Sequence, residues 1–327
     1  MSEACIKIAD FLVGVKKLGI AGHVRPDGDC VGSCMGLYLY ITENYPNIET
    51  HVYMEEPKGN FDYIKAMDKV EDTVSDTDFD LFIIIDLSNA ERMGVAGEEY
   101  IKAKKTLCID HHISNTKFCM VNHVIPSASS SCEVLYDMLE EEKISAEAAT
   151  AIYTGIVHDS GVFKYENTSE HTMNIAGRLM SKGVNFPSVI DEGFYEKSYV
   201  QNQILGRALL ESILLLKGKC IYSAISESEM KFYGVSQKEM GGIVEQLRLT
   251  AGVDVAIFMY EISPMEYKVS LRSKKYVDCN VVAGYFGGGG HVRAAGCILK
   301  GTKHDVVNNL LEHIEQQLEK KGVLHNV

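Results

Sequence analysis

The hydrophobic positions of this 327-residue chain change rhythm beyond its midpoint. In the first half, short β-branched and apolar runs alternate with stretches whose apolar residues recur at helical spacing, which is the pattern of βαβ units on a mainly parallel sheet. Strands are predicted at 19–24, 50–54, 79–85 and 106–109, and helices at about 3–17, 31–43, 130–142, 145–158 and 169–182. Ser145 is placed to cap the helix at 145–158, and Gly183 to stop the one at 169–182. Residues 184–213 hold Pro187 and then the polar helical run SYVQNQILGRALLESI. The boundary belongs there, giving a first domain over 1–190, a connector helix over 191–213 and a second domain over 214–327. The second half has longer paired runs at 213–225, 254–262 and 267–273, with helices near 236–248, 278–284 and 303–320. The fold expected is α/β: a doubly wound, mainly parallel N-terminal sheet followed by a smaller α+β domain.

Charge and composition narrow the function classes. The net charge is −13, and residues 1–205 carry 17 Lys and Arg against 32 Asp and Glu, whereas residues 206–327 carry 15 against 13. A duplex-DNA binder normally shows a basic face, so that partner is not expected. The acidic half owes part of its charge to candidate metal ligands, and solvated helix faces such as Glu140-Glu141-Glu142 account for most of the remainder. Nine cysteines, an odd number without a CxxC pair, read as free thiols of a reducing compartment. No apolar run approaches the 18 or so residues of a membrane span, and MSEACIKIADF lacks a cleavable apolar core, so a soluble cytoplasmic protein without a membrane partner is expected.

Four segments end an apolar run in Asp or His: His23-Val-Arg-Pro-Asp27-Gly-Asp29, Ile83-Ile-Ile-Asp86, Asp110-His111-His112 after LCI, and His158-Asp159-Ser-Gly161 at a helix end. Any one of them reads equally well as a helix cap or turn. Together they supply enough carboxylate and imidazole donors for two divalent ions, manganese first and magnesium second by donor type. Two ions about 3.5–4 Å apart can share a carboxylate, activate water and clamp a phosphoryl group for in-line attack.

In this order and on this scaffold, HVRPDGD, IIID, DHH and HDSG resemble the motif set of the DHH phosphoesterase superfamily, over most of residues 20–165. GGGGHVRAAG, residues 287–296, resembles the glycine-rich signature of the DHH-associated nucleotide-binding domain. Length and domain pairing are closest to the nanoRNase branch, oligoribonucleases that also dephosphorylate 3′-phosphoadenosine-5′-phosphate (pAp). The resemblance implies an active site in the cleft between the domains. It also implies one ion held by His23, Asp27 and Asp86, and another held by Asp29, Asp86, His111 and Asp159. His112 would then face the scissile phosphate, and Asp110 would orient the His pair.

In the second domain, successive glycines let a backbone approach an anion closely, although a Gly run alone is more often a flexible hairpin tip. The resemblance assigns the distal nucleotide to Arg272, Ser273, Gly289, Gly290 and His291, with Arg272 the better phosphate anchor than Lys274 or Lys275. The chain has no Trp, so Tyr, Phe or His must stack bases; Tyr285 and Phe286 are candidates, with core packing their commoner role. Ser129-Ser130-Ser131 opens a helix and could meet a phosphate there or merely cap it. The function expected is hydrolysis of very short RNA and of pAp. Cyclic dinucleotides or their linear products are the alternative substrates, and a homodimer is compatible with the resemblance.

Overall fold

A computed structural model describes residues 6–57, 60–74, 78–97 and 99–324, and contacts between residues divide the chain into two units between Glu196 and Lys197. The first unit holds strands β1 (Lys17–Ala21), β2 (Glu49–Tyr53), β3 (Val70–Glu71), β4 (Leu81–Ile85), β5 (Thr106–Asp110) and β6 (Val121–Val124). Its helices are α1 (Ile8–Phe11), α2 (Gly28–Asn44), α3 (Glu99–Lys102), α4 (Ser131–Met138), α5 (Ala146–Asp159), α6 (Glu170–Ser181) and α7 (Phe186–Ile190). The strands pair in parallel in the order β3-β2-β1-β4-β5-β6.

Every residue of β4 is apolar and buried, so both faces of the sheet must be covered. Leu81, Ile83 and Ile85 join the cluster that α2, α4 and α5 complete, while Phe82 and Ile84 pack with Tyr53, Phe79, Met93 and Ala96 on the other side. The strand order reverses between β1 and β4, where an open α/β sheet leaves a crevice at its carboxyl edge. Helices α2 and α5 nearly touch: a β-carbon on Gly32 would lie 2.5 Å from Ala151 O and 2.8 Å from Gly155 N. This contact brings the start of α2 beside the end of α5.

The second unit contains α8 (Tyr199–Leu210), β7 (Ile213–Leu215), β8 (Cys220–Ile225), α9 (Glu227–Tyr233), α10 (Ile243–Arg248), β9 (Val255–Ser263), β10 (Glu266–Ser273), α11 (Cys279–Gly284), β11 (Gly289–His291), β12 (Ala294–Lys300) and α12 (Lys303–Lys320). Its sheet runs β11-β12-β10-β9-β8-β7, antiparallel except for β8 with β9. Val255, Ile257 and Met259 meet Val306, Leu310, Ile314 and Leu318 of α12, and Ala256, Phe258 and Tyr260 meet Ile204, Ala208, Ile243 and Leu247 on the opposite face. Among the described residues no helix is long and apolar enough to cross a membrane.

Several elements depart from the sequence pattern. Of the helix expected at 3–17, residues 1–5 lie outside the described residues and only Ile8–Phe11 is α-helical, because Gly14 at φ +78° turns the chain into β1. The run 213–225 is two antiparallel strands, broken where Leu216, Lys217 and Gly218 all take positive φ. The helix expected at 236–248 is interrupted at Gly241-Gly242, with Gly242 at φ +81°. In the segment read as a connector, residues 191–195 form a π-helical turn continuing α7, whereas α8 packs into the second unit. The short strand β3 and the half-exposed edge strand β6 carry too few apolar residues to signal themselves.

The turn after β10 is organised by one carboxylate. Asp254, 5 % exposed, accepts from the backbone N–H groups of Lys275, Tyr276 and Val277 at 2.9–3.2 Å. Asp254→Ala strands those donors and is expected to lower unfolding free energy by about 2–3 kcal/mol, read from urea denaturation. Asp254→Asn, which keeps one acceptor, should recover part of the loss.

Candidate active site at the carboxyl ends of β1, β4 and β5

His23 follows β1, Asp86 follows β4, and Asp110 closes β5 with His111 and His112 behind it. Asp27 caps α2 by accepting from Asp29 N at 3.1 Å and Cys30 N at 3.2 Å, and Asp159 is the last residue of α5. The sheet edge and the α2–α5 contact thus gather side chains separated by more than 130 residues in the sequence.

Two imidazoles lie among these carboxylates. With Nδ1–H donating to Val24 O at 2.9 Å, His23 turns Nε2 toward Asp86 Oδ2 at 3.4 Å and Asp27 Oδ1 at 3.7 Å. His111 donates from Nδ1 to Ala128 O at 3.3 Å and aims Nε2 at Asp159 Oδ2 (3.1 Å), Asp86 Oδ1 (3.8 Å) and Asp29 Oδ2 (3.9 Å). Donors held about 2.1 Å from one octahedral cation stand about 3 Å apart when adjacent and about 4.2 Å apart when opposite, and these separations match that spacing. Asp29, His111 and Asp159 form one group of converging donors, and His23, Cys30 and Asp86 another. Among the described residues no Lys or Arg is ion-paired with Asp27, Asp29, Asp86 or Asp159, and the imidazoles of His23 and His111 are the basic groups that face them. The donor set fits divalent metal ions.

Titration in the metal-free protein points the same way. Burial and the nearby carboxylates push Asp29 well above the usual range, and burial also raises Asp86. For His23, burial opposes the charge, but hydrogen bonds to Asp27 and Asp86 outweigh it and lift the ring to about 11. His111 is raised to about 10 against the same burial, chiefly by Asp159 and then by Asp29. Raised carboxyls are most stabilising while protonated, and this contribution is lost as pH climbs from 3.8 through their folded values. The raised imidazoles contribute fully below 6.5 and lose that contribution up to about 10 and 11. The metal-free protein therefore weakens with rising pH, whereas a bound cation displaces the same protons. The gain in melting temperature on adding Mn²⁺ should increase steadily from pH 5.5 to 8.5; a flat or falling gain would rule out these residues as the ligands.

The surrounding groups fix this geometry. Asp29, 1 % exposed, accepts from Ser131 N (2.7 Å) and Cys132 N (3.0 Å) at the start of α4. That helix N-terminus is therefore occupied by a protein carboxylate and is not open to a phosphate. The serines divide as follows: Ser130 caps α4, Ser131 Oγ donates to Asp86 Oδ1 at 3.0 Å, and Ser129 Oγ donates to Glu133 at 2.6 Å. Asp86 sits at φ +60°, a left-handed backbone that strains a non-glycine residue and turns its carboxylate off the strand. Asp110 accepts from His111 N (2.8 Å), His112 Nδ1 (2.7 Å) and Asn115 Nδ2 (2.6 Å), so it orients the ring of His112 but only the backbone of His111. Its hydrogen bond raises His112, and Nδ1 being engaged leaves Nε2 as the free ring nitrogen.

Cys30, Asn115 and His158 are site neighbours that motif reading did not single out for a role, and Ser131, read as a phosphate contact or cap, bonds Asp86 instead. His158 lies against the first turn of α2, where a β-carbon on Gly28 would come within 2.1 Å of its Cγ. Phe61 and Phe194 flank the ring at 5.4 and 5.5 Å between centroids, and burial holds it below its usual pKa. Outside this cluster, His51 pairs with Glu49 and Glu71, and His171 with Asp137.

In the second unit, β10, β12 and the glycine segment line a groove of about 800 Å³ that includes Lys268, Ser270, Arg272, Phe286, Gly289 and His291. Arg272 Nε donates to Glu245 Oε1 at 2.7 Å, leaving part of the guanidinium toward the groove. Ser273 is buried and donates its hydroxyl to Val277 O at 2.6 Å, and Gly290 N donates to Asn280 Oδ1 at 2.9 Å. Gly289 and His291 are exposed on β11. Gly289 and Gly290 are thus part of an edge strand and not a free hairpin tip. Tyr285 is 65 % exposed and stacks on His313 at 4.0 Å, whereas Phe286 packs against the core.

Two family models match the chain, one in each unit. Residues 17–156 match the DHH family, N-terminal domain, and residues 217–320 the DHHA1 domain. A Thermus thermophilus protein named bifunctional oligoribonuclease and PAP phosphatase NrnA is 27 % identical, covering 97 % of this chain and 95 % of the relative. A Bacillus subtilis protein of the same name is 29 % identical over 84 % of this chain and 86 % of the relative. An exopolyphosphatase-related protein from Bacteroides fragilis shares the fold, with a TM-score of 0.82 at 24 % identity over 97 % of this chain and 96 % of that one. The chain thus joins a DHH-family N-terminal domain, which carries the strand-tip carboxylates, to a DHHA1 domain, which carries the glycine-lined groove.

Proposed function

We propose that this protein is a metal-dependent phosphoesterase that hydrolyses very short oligoribonucleotides, about two to five nucleotides long, to mononucleotides and also converts pAp to AMP. The observation that carries the reading is the convergence of His23, Asp27, Asp29, Asp86, His111 and Asp159 beside a His112 held by Asp110. The names of the relatives, which align over most of the chain, support the substrate class. Two divalent cations, manganese by preference, fit this donor set, with Asp86 between His23 on one side and His111 on the other.

When bound, such cations supply Lewis acidity that acidifies water and neutralises charge on a phosphoryl group. The remaining steps fall to the chain's own side chains. Asp29, fixed by two backbone N–H groups, keeps its carboxylate from swinging. His112, aligned by Asp110, presents Nε2 to the leaving oxygen and can deliver a proton to it. Arg272 and His291 line the groove suited to the distal nucleotide.

The test is a substrate panel with Mn²⁺: labelled RNA 2- to 5-mers, a 24-mer, pAp, a cyclic dinucleotide and pyrophosphate. The short RNAs and pAp should turn over fastest. Preference for the 24-mer or pyrophosphate would overturn the reading, and preference for the cyclic dinucleotide would move it to that substrate.

A further inference from the structure

The loop that leaves the HDSG segment holds an aromatic ring in an unusual way. Val162 and Phe163 take consecutive left-handed conformations, φ +58° and +60°, which side chains with a β-carbon disfavour and a β-branched valine most of all. Hydrogen bonds and core contacts enforce them. Val162 N donates to Val157 O at 2.8 Å, Phe163 N to Ser160 Oγ at 3.0 Å, and the N–H groups of Lys164 and Tyr165 both donate to Ser160 O, at 2.9 and 3.0 Å. Val162 and Phe163 are tucked against the first unit's core.

The result is the placement of Tyr165. A β-carbon on Gly161 would lie 2.4, 2.5 and 2.8 Å from Cζ, Cε2 and Cε1 of that ring, so the phenol end rests directly on a glycine. The ring is nevertheless 47 % exposed, with the flexible Lys164 side chain placing its Nζ over it, 6.0 Å from the centroid, where an incoming base would displace it. Gly161 is two residues from Asp159, at most about 7 Å of chain and comparable to the length of a nucleoside.

We propose that Tyr165 is a specificity-determining residue on which a nucleobase of the substrate stacks, in a chain that contains no Trp. This rests on the nucleotide substrate proposed above. Stacking on an aromatic face is indifferent to base identity and adds affinity for any base-bearing substrate, and the Lys164 ammonium beside the ring is a cation available to the adjoining phosphates. A ring braced on a glycine and a rigid loop loses little freedom when a base lands on it.

The experiment measures binding, independent of turnover. AMP and ribose 5-phosphate are titrated by calorimetry into wild type, Tyr165→Ala and Tyr165→Phe in the presence of Mn²⁺. Wild type should prefer AMP, and Tyr165→Ala should bind AMP about 5- to 100-fold more weakly while its affinity for ribose 5-phosphate stays unchanged. Tyr165→Phe, which keeps the ring, should restore AMP binding to the wild-type level. An unchanged AMP affinity in Tyr165→Ala overturns the assignment, as does equal weakening for both ligands. If wild type cleaves no oligonucleotide yet shows the AMP preference and its loss, the stacking role stands and the proposed reaction falls.

Discussion

Asp86→Asn should abolish most of the activity and at the same time make the metal-free protein more heat-stable. Asp86 is 2 % exposed and lies between His23 and His111, so removing its charge weakens both halves of the donor set. Loss of several kcal/mol of transition-state stabilisation corresponds to a fall in turnover of about 10³-fold or more. Without metal the balance reverses. Burial already raises the Asp86 carboxyl, which means that its charge opposes folding there, and asparagine removes that charge while tolerating the left-handed backbone at φ +60° better than most residues. Relief of about 1 kcal/mol would raise the melting temperature by roughly 2–4 °C for a chain of this size. Scanning fluorimetry with and without Mn²⁺ reads both effects, since the variant should lose the metal-dependent gain. A metal-free variant that melts earlier than wild type would mean that the carboxylate braces the fold and has no need of a cation.

His112→Ala should lower turnover by about 10²- to 10⁴-fold, the usual contribution of a positioned proton donor, while the Mn²⁺ affinity and KM change little. The distinction matters because His112 Nδ1 also lies 3.6 Å from Asp86 Oδ1, within the range of a shared ion. Its 2.7 Å hydrogen bond to Asp110 favours the proton-delivery role. If Mn²⁺ affinity falls in step with turnover, His112 is a ligand. Wild-type turnover in the variant would exclude both roles. Asn115→Ala, which removes the amide holding Asp110, should show a weaker version of the same kinetic defect.

Much of the first unit was legible because a five-residue apolar strand such as β4 and the alternation around it leave few alternatives. The strand-tip residues were legible for a related reason: polar groups that end apolar runs are delivered to one edge of a parallel sheet. What escaped was set by tertiary context. Nothing local says that the N-terminus of α4 is filled by Asp29, more than 100 residues earlier, or that Ser131 reaches Asp86. Similarly, the turn at 216–218 and the break at Gly242 depend on positive φ values that an unbroken apolar pattern conceals. In the second unit, the motif points to Arg272 and Gly289, which line the groove, but the inward hydroxyl of Ser273 is determined by the Val277 carbonyl, which no spacing rule indicates.

The contact between Gly28 and His158 constrains how this site can change in evolution. The ring occupies the volume that any larger residue at 28 would need. A chain with alanine or serine at position 28 can keep the Asp27-capped start of α2 only by accepting a smaller or displaced side chain at 158. The two positions, 130 apart in the sequence, should therefore vary together across relatives, and this covariation can be observed without purified protein.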